Sequence, residues 1–160
     1  MPRSTENDDW ETPSWLFDEL HREFHFDVDL CASQQNRKVY SFWSEDYLND
    51  QYLAWFDGPY EADKDLLVKS NCAFMNPPYS NSLPFIEKAL RDSVYCKIVC
   101  LIKCDTSTKV WHEIWDYTAQ SPKNGVSIRF FKRRIKFERG GLTPKNGPTF
   151  PCCLVIMDIS

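Results

Sequence analysis

Apolar residues along this chain recur with two periods, and the switches between them divide it into elements. Over residues 12–24, TPSWLFDELHREF, Trp15, Leu16, Leu20 and Phe24 fall on one face at helical spacing. Thr12 is placed to cap that helix, and Pro13 suits its first turn. The helical period returns over residues 82–94, with Phe85, Ile86, Ala89 and Leu90 directed inward, and a third helix is predicted over 107–120. Shorter runs predict strands at 26–30 (FDVDL), 38–43 (KVYSFW), 72–76 (CAFMN) and 97–103 (KIVCLIK). The KIVCLIK run is almost wholly apolar, as a central parallel strand should be. Two strand-like runs, 127–138 and 151–159, close the chain, joined by the turn-rich RGGLTPKNGPT. Residues 49–71 are mixed, and DGPYEADKD within them reads as a surface loop.

Strands alternating with helices, then two strands with no helix between them, predict an α/β fold: a mostly parallel twisted sheet with an antiparallel edge hairpin. A length of 160 residues fits one domain over residues 1–160. Hydrophobic residues at 42% and aromatics at 15% exclude a disordered chain. The N-terminal MPRSTENDDW lacks the apolar core of a signal peptide, and no run has the length of a membrane-spanning helix. The expectation is a soluble, cytoplasmic protein with no membrane partner.

The cysteines change this picture little. There are seven, an odd number, and Cys152 and Cys153 are adjacent, which argues against a disulfide framework. Cys96, Cys100 and Cys104 recur every four residues, but in a strand-like run whose faces alternate every two. With no C-x-x-C pair, and His21, His25 and His112 off zinc-finger spacing, no metal site is predicted, only buried thiols.

Charge is more informative. Between Lys123 and Lys145 eight basic residues face one acid, Glu138, for a net +7. The rest of a chain that totals −4 therefore carries −11. Such asymmetry orients a polyanion onto one side, although a solvated strand face would look the same in sequence. Phe130, Phe131 and Phe137, interleaved with these charges, read as core rather than as stacking platforms.

The candidate chemistry lies after the apolar CAFM, where the chain reads Asn76-Pro77-Pro78-Tyr79. Two prolines there end any regular element, since each fixes its own φ and pushes the preceding residue out of the helical region. In open α/β sheets, ligands bind beyond the carboxyl ends of strands, where this motif falls. An aromatic or amide NH₂ is a weak nucleophile because its lone pair is delocalised. A site that accepts both N–H groups drives that nitrogen toward tetrahedral geometry. Asn76 offers a side-chain oxygen, Pro77 a backbone carbonyl on a stiffened chain, and Tyr79 a flat face for a planar substrate. Pro78 adds rigidity and has no competing N–H.

This motif is similar to that of amino-methyltransferases that use S-adenosylmethionine. WETPSWLFDEL, FHFDVDLCASQQNRK, FMNPPYS, LIKCDTSTKVWHE, RRIKFE and GPTFPCCLVIM occur in that order, and together they resemble the phage-type Dam DNA N6-adenine methyltransferases. The resemblance spans nearly the whole chain, with about residues 49–71 poorly covered. It implies a Rossmann-like methyltransferase fold with helices on both faces of the sheet, and no separate target-recognition domain. It also implies S-adenosylmethionine as cofactor, double-stranded DNA as partner and base flipping, and a monomer is expected. Two alternatives stay open: a methyltransferase acting on another planar nitrogen, such as an RNA base or a protein glutamine, and a catalytically silent DNA-binding module of the same fold.

By the same resemblance, Trp10, Thr12 and Pro13 line the methionine end of the cofactor. Asp29 holds its amino group, and Cys31 and Ala32 form the turn beneath it. Asp46, with Asn36 second, is the candidate on the ribose or adenine side. Where many methyltransferases carry a glycine-rich loop after the first strand, this chain reads DLCASQQN, without glycine. Lys132, Arg133, Arg134, Lys136 and Arg139 are the candidate phosphate contacts. The loop 140–148 is a candidate to enter a groove, and Lys103, Asp105 and Thr106 are candidates to support the pocket. The implied biological role is shielding of viral genomes from host nucleases, as in restriction-modification.

Overall fold

The computed structural model describes residues 10–31, 67–140, 145 and 149–159. The predicted strand 38–43, the candidates Ala32, Asn36 and Asp46, and most of the loop 140–148 lie outside these residues. The described chain is a mixed α/β structure. Helix α1 (Ser14–Phe24) leads into strand β1 (Val28–Asp29). Strand β2 (Cys72–Met75), a 3₁₀ turn (Tyr79–Asn81), helix α2 (Leu83–Asp92) and strand β3 (Lys97–Lys103) follow. Next come α3 (Lys109–Ile114), β4 (Trp115–Asp116), β5 (Ser121–Pro122), β6 (Val126–Phe130), β7 (Ile135–Lys136), β8 (Thr149–Phe150) and β9 (Cys152–Met157).

The main sheet has the order β1-β2-β3-β9-β6. Strands β1, β2 and β3 are parallel, and β9 pairs antiparallel with both β3 and β6. The antiparallel pair thus lies at one edge as predicted, with the last strand of the chain inserted between β3 and β6. Alternation along each strand divides the core. Ala73 and Met75 of β2 and Ile98, Cys100 and Ile102 of β3 pack with Phe85, Ile86 and Ala89 of α2 and with Val110, Trp111 and Ile114 of α3. Phe74, Val99, Leu101, Leu154 and Ile156 belong to a second cluster with Leu16, Phe17 and Leu20 of α1.

Four expectations change. The helix predicted over 107–120 is confined to Lys109–Ile114. Trp115 is already extended (φ −118°, ψ 133°), and the Asp116 carboxylate accepts the N–H groups of Thr118 and Ala119 at 2.9 and 3.0 Å. That local turn competes with helix and closes the β4–β5 hairpin instead. The run 127–138 is not one strand. Its pairing with β9 ends at Phe130↔Cys153, and the three consecutive cations Lys132–Arg134 stay exposed as the chain turns over Phe131–Arg134 before β7 pairs with β8.

The third change concerns two aromatics expected in the core. Trp15 is 54% and Phe130 64% exposed, whereas Phe17, which the predicted face omitted, is buried. Fourth, Thr12 does not cap α1. Pro13 occupies the cap position, and Glu138, from a segment 124 residues away, accepts the Ser14 N–H at 3.1 Å and its Oγ–H at 3.2 Å. A carboxylate at this end also complements the helix dipole.

All seven cysteines are free thiols, five of them buried. Among the described residues no helix is long and apolar enough to cross a membrane, and no cluster of His, Cys, Asp and Glu has the grouping of a metal site.

Candidate active site

The register of the sheet places the candidate motif. Asp29 lies opposite Phe74 in the parallel β1–β2 pair, and the Leu30 N–H bonds the Phe74 carbonyl at 2.8 Å. Asp29 and Asn76 therefore stand near the carboxyl ends of neighbouring strands, which lie about 4.8 Å apart in any sheet. The start of β2 is pinned to the same neighbour, because the Asp27 carboxylate accepts the Asn71 N–H at 2.6 Å. β3 ends in the same direction at Lys103, paired with Cys152, and β6 ends at Phe130. The motif, Lys103 and the basic turn thus share one end of the sheet.

Within the motif, Pro77 is buried and Asn76, Pro78 and Tyr79 are half-buried. Pro78 is extended (φ −61°, ψ 128°) and leads into the 3₁₀ turn, whose Asn81 N–H returns to the Pro78 carbonyl at 3.3 Å. The Tyr79 ring is held by its surroundings. Phe137 and Phe150 meet it edge-on at 5.6 and 5.5 Å between centroids, and its hydroxyl lies 3.8 Å from Cys152 Sγ. The Lys103 ammonium sits 5.3 Å from the Tyr79 centroid and 4.4 Å from that of Phe150. Burial pushes the Tyr79 phenol well above its ordinary value, and burial likewise raises the Cys152 thiol to about 11. Both stay neutral near pH 7, so neither introduces charge beside the motif.

Asp29 is only 4% exposed at the end of β1. Burial holds the Cys31 thiol well above its ordinary range, with the Asp29 charge adding to the effect. A buried carboxylate beside a half-buried small residue, next to the Asn76 corner, suits the amino group of a methionine-derived ligand. The donor set fits S-adenosylmethionine.

Trp10, Thr12 and Pro13 reach this end of the sheet by a different route. Glu11 and Glu138 form an antiparallel bridge, with N–H···O bonds of 2.7 and 3.0 Å. The Arg139 guanidinium lies 4.2 Å from the Trp10 ring centroid, and the Gly140 N–H bonds the Glu11 carboxylate at 2.7 Å. Phe137, between this bridge and Tyr79, joins the N-terminal arm, residues 10–13, to the motif. Arg139 is thus engaged with the arm. Lys136 donates to the Lys145 carbonyl at 3.2 Å, while Lys132, Arg133 and Arg134 stand exposed on the turn. Asp105, a candidate to support the pocket, accepts both the N–H and the hydroxyl of Ser107, at 3.0 and 2.6 Å. Those bonds lower its carboxyl below the ordinary range and commit it to the turn before α3.

Sequence reasoning passed over Glu138, Phe150 and Cys152, which frame Tyr79 and the arm. No local pattern marks them, because each acts on a residue more than 70 positions away in the chain.

The family described as DNA N-6-adenine-methyltransferase (Dam) matches residues 2–158. The chain belongs to this family. A DNA N-6-adenine-methyltransferase of Haemophilus phage HP1 (strain HP1c1) is 34% identical, aligned over 98% of this chain and 82% of the relative. These matches agree with the resemblance carried by the ordered motifs.

Proposed function

We propose that this protein, as a single Rossmann-like domain acting as a monomer, methylates the exocyclic N6 amine of adenine in double-stranded DNA, with S-adenosylmethionine as donor. One observation carries the reading: a diproline corner, Asn76 to Tyr79, at the carboxyl end of β2 and next to the buried Asp29 at the end of β1.

Asp29, Cys31, Trp10, Thr12 and Pro13 would hold S-adenosylmethionine, with Ala32 and Asp46 completing the set. When bound, that cofactor supplies an electrophilic methyl group on a positively charged sulfur. The protein acts on the other reactant. Asn76 Oδ1 and the Pro77 carbonyl accept the two N–H groups of adenine N6, localising the lone pair toward the methyl carbon. As the methyl–sulfur bond broke, leaving its electron pair on sulfur, and the N–C bond formed, positive charge would grow on nitrogen, where the same two oxygens would stabilise it without having to reorganise. No strong base adjoins, so the surplus proton leaves to solvent.

An adenine inside the stack cannot reach this corner, so the base turns out of the duplex and lies on Tyr79, whose ring Phe137 and Phe150 hold in place. Lys132, Arg133 and Arg134 grip phosphates at the same end of the sheet.

Incubation with tritiated S-adenosylmethionine and unmethylated duplex DNA, followed by digestion to nucleosides, tests the reading. Label should appear in N6-methyldeoxyadenosine. Transfer to RNA or protein alone, or none, overturns it.

A further inference from the structure

We infer that the groove beside the basic turn binds a single-stranded stretch of the substrate DNA, one unpaired base stacking on Trp15 while Arg133 and Arg134 hold its flanking phosphates. The groove, about 390 Å³, is lined by Trp15, Phe131, Lys132, Arg133, Arg134 and Ile135. Its size is that of a ligand pocket, and its lining joins aromatic faces to consecutive cations. That is the chemistry of a single-strand site, where bases stack on rings and the backbone meets positive charge.

Two further observations choose this occupant. The first is the state of the charges. Arg129, nearby in sequence, is closed by Glu23 at 2.6 Å and lies over the Phe24 ring. Lys132, Arg133 and Arg134 stand exposed and make no ion pair among the described residues. The second is position. A smaller hollow of about 220 Å³ flanks the same turn, lined by Cys104, Phe130, Phe131, Lys132 to Arg134, Pro151 and Cys152. Cys152 is the residue that touches the Tyr79 hydroxyl. The turn therefore stands between the candidate active site and the Trp15 groove, and a strand crossing it leads from one to the other.

A paired, stacked base hides both faces, so Trp15 can take only a base left unstacked when the duplex opens. This inference rests on the proposed DNA substrate, and binding tests it separately from methyl transfer.

Fluorescence anisotropy of the full chain with a labelled single-stranded oligonucleotide, a duplex carrying one bulged adenine, and a fully paired duplex reads the groove directly. Trp15→Ala and Trp15→Leu, the latter keeping apolar bulk without a planar face, should each weaken single-strand and bulge binding about tenfold. Trp15→Phe should stay within about threefold of wild type, and all three should leave the paired duplex and the salt slope nearly unchanged. Wild-type single-strand affinity in Trp15→Leu overturns the inference. So does equal weakening toward the paired duplex, since stacking would not be the cause. If wild type methylates duplex DNA while Trp15→Leu binds single strands normally, the groove fails and the function stands. If the groove behaves as stated but wild type transfers no methyl group to DNA, the function fails and the groove stands.

Discussion

The Asn76–Tyr79 corner and the Lys132–Arg134 turn occupy the same end of one sheet and are built on opposite principles. At the corner, Pro77 is buried, Pro78 is fixed by its ring, and Tyr79 is wedged between two phenylalanines with its hydroxyl against Cys152. On the turn, three consecutive cations stand exposed, and pairing with β9 stops just before them. The difference follows from how the two interactions depend on distance. Stabilising a charge that appears on one nitrogen requires dipoles already aimed at it. Attraction between cations and a phosphate backbone works over about a Debye length, near 8–10 Å, so flexible side chains suffice. Rigidity is concentrated where geometry is decisive.

Substitutions at the two regions should therefore fail differently. The largest effect is expected for Asn76→Ala, which removes one of the two proposed acceptors. Methyl transfer should fall at least about 100-fold, with cofactor affinity by calorimetry nearly unchanged. A mutant with comparable turnover would break the assigned role. Next, Arg133→Ala with Arg134→Ala should weaken DNA binding and reduce the slope of log K against log salt by about 1.8, at about 0.9 for each phosphate that is no longer neutralised. An unaltered slope would remove the turn from the interface, and a loss of turnover at saturating DNA would show that the two regions are not separable.

A smaller effect sharpens the corner itself. Tyr79→Phe keeps the ring and removes only the long hydroxyl–sulfur interaction, so turnover should fall by less than about tenfold. Because burial holds the phenol above its ordinary value of 10, wild type and Tyr79→Phe should show the same pH profile up to about pH 9. A wild-type alkaline limb that disappears in the mutant would refute this.

The smallest effect lies away from both regions. The Arg129 hydrogen bond lowers Glu23 from its ordinary value of 4.5, so the pair stabilises the fold above about pH 4.5, and the gain is lost as pH falls through the lowered value. The pair is half-exposed, so Glu23→Gln should cost less than about 1 kcal/mol in denaturant titrations at pH 7 and nothing in strong acid. A cost that persists in acid would need another cause.

What could be read without coordinates was local in origin. Helix α2, strands β2, β3 and β9, and the Asn-Pro-Pro-Tyr corner follow from periodicity and proline stereochemistry, which act within a few residues. The excess of positive charge after Lys123 is likewise a property of composition. The errors arose where distant residues outvoted local preference. Trp15 fits the apolar face of α1 by spacing, yet Phe17 packs against Phe74 at 5.3 Å between centroids and Trp15 is left at the surface. The run 127–138 reads as one strand, yet its pairing with β9 ends at Phe130, and Ile135 and Lys136 pair instead with Phe150 and Thr149.

Amino-acid order alone thus marked the described segments that pair in the main sheet and the four residues of the candidate chemistry, because covalent geometry and short-range sterics act on both. Only the tertiary structure decided that β9 enters between β3 and β6, that Glu138 closes the start of α1, and that Trp15 faces the basic turn. Those arrangements depend on burial and pairing between residues far apart in the chain, which no local pattern encodes.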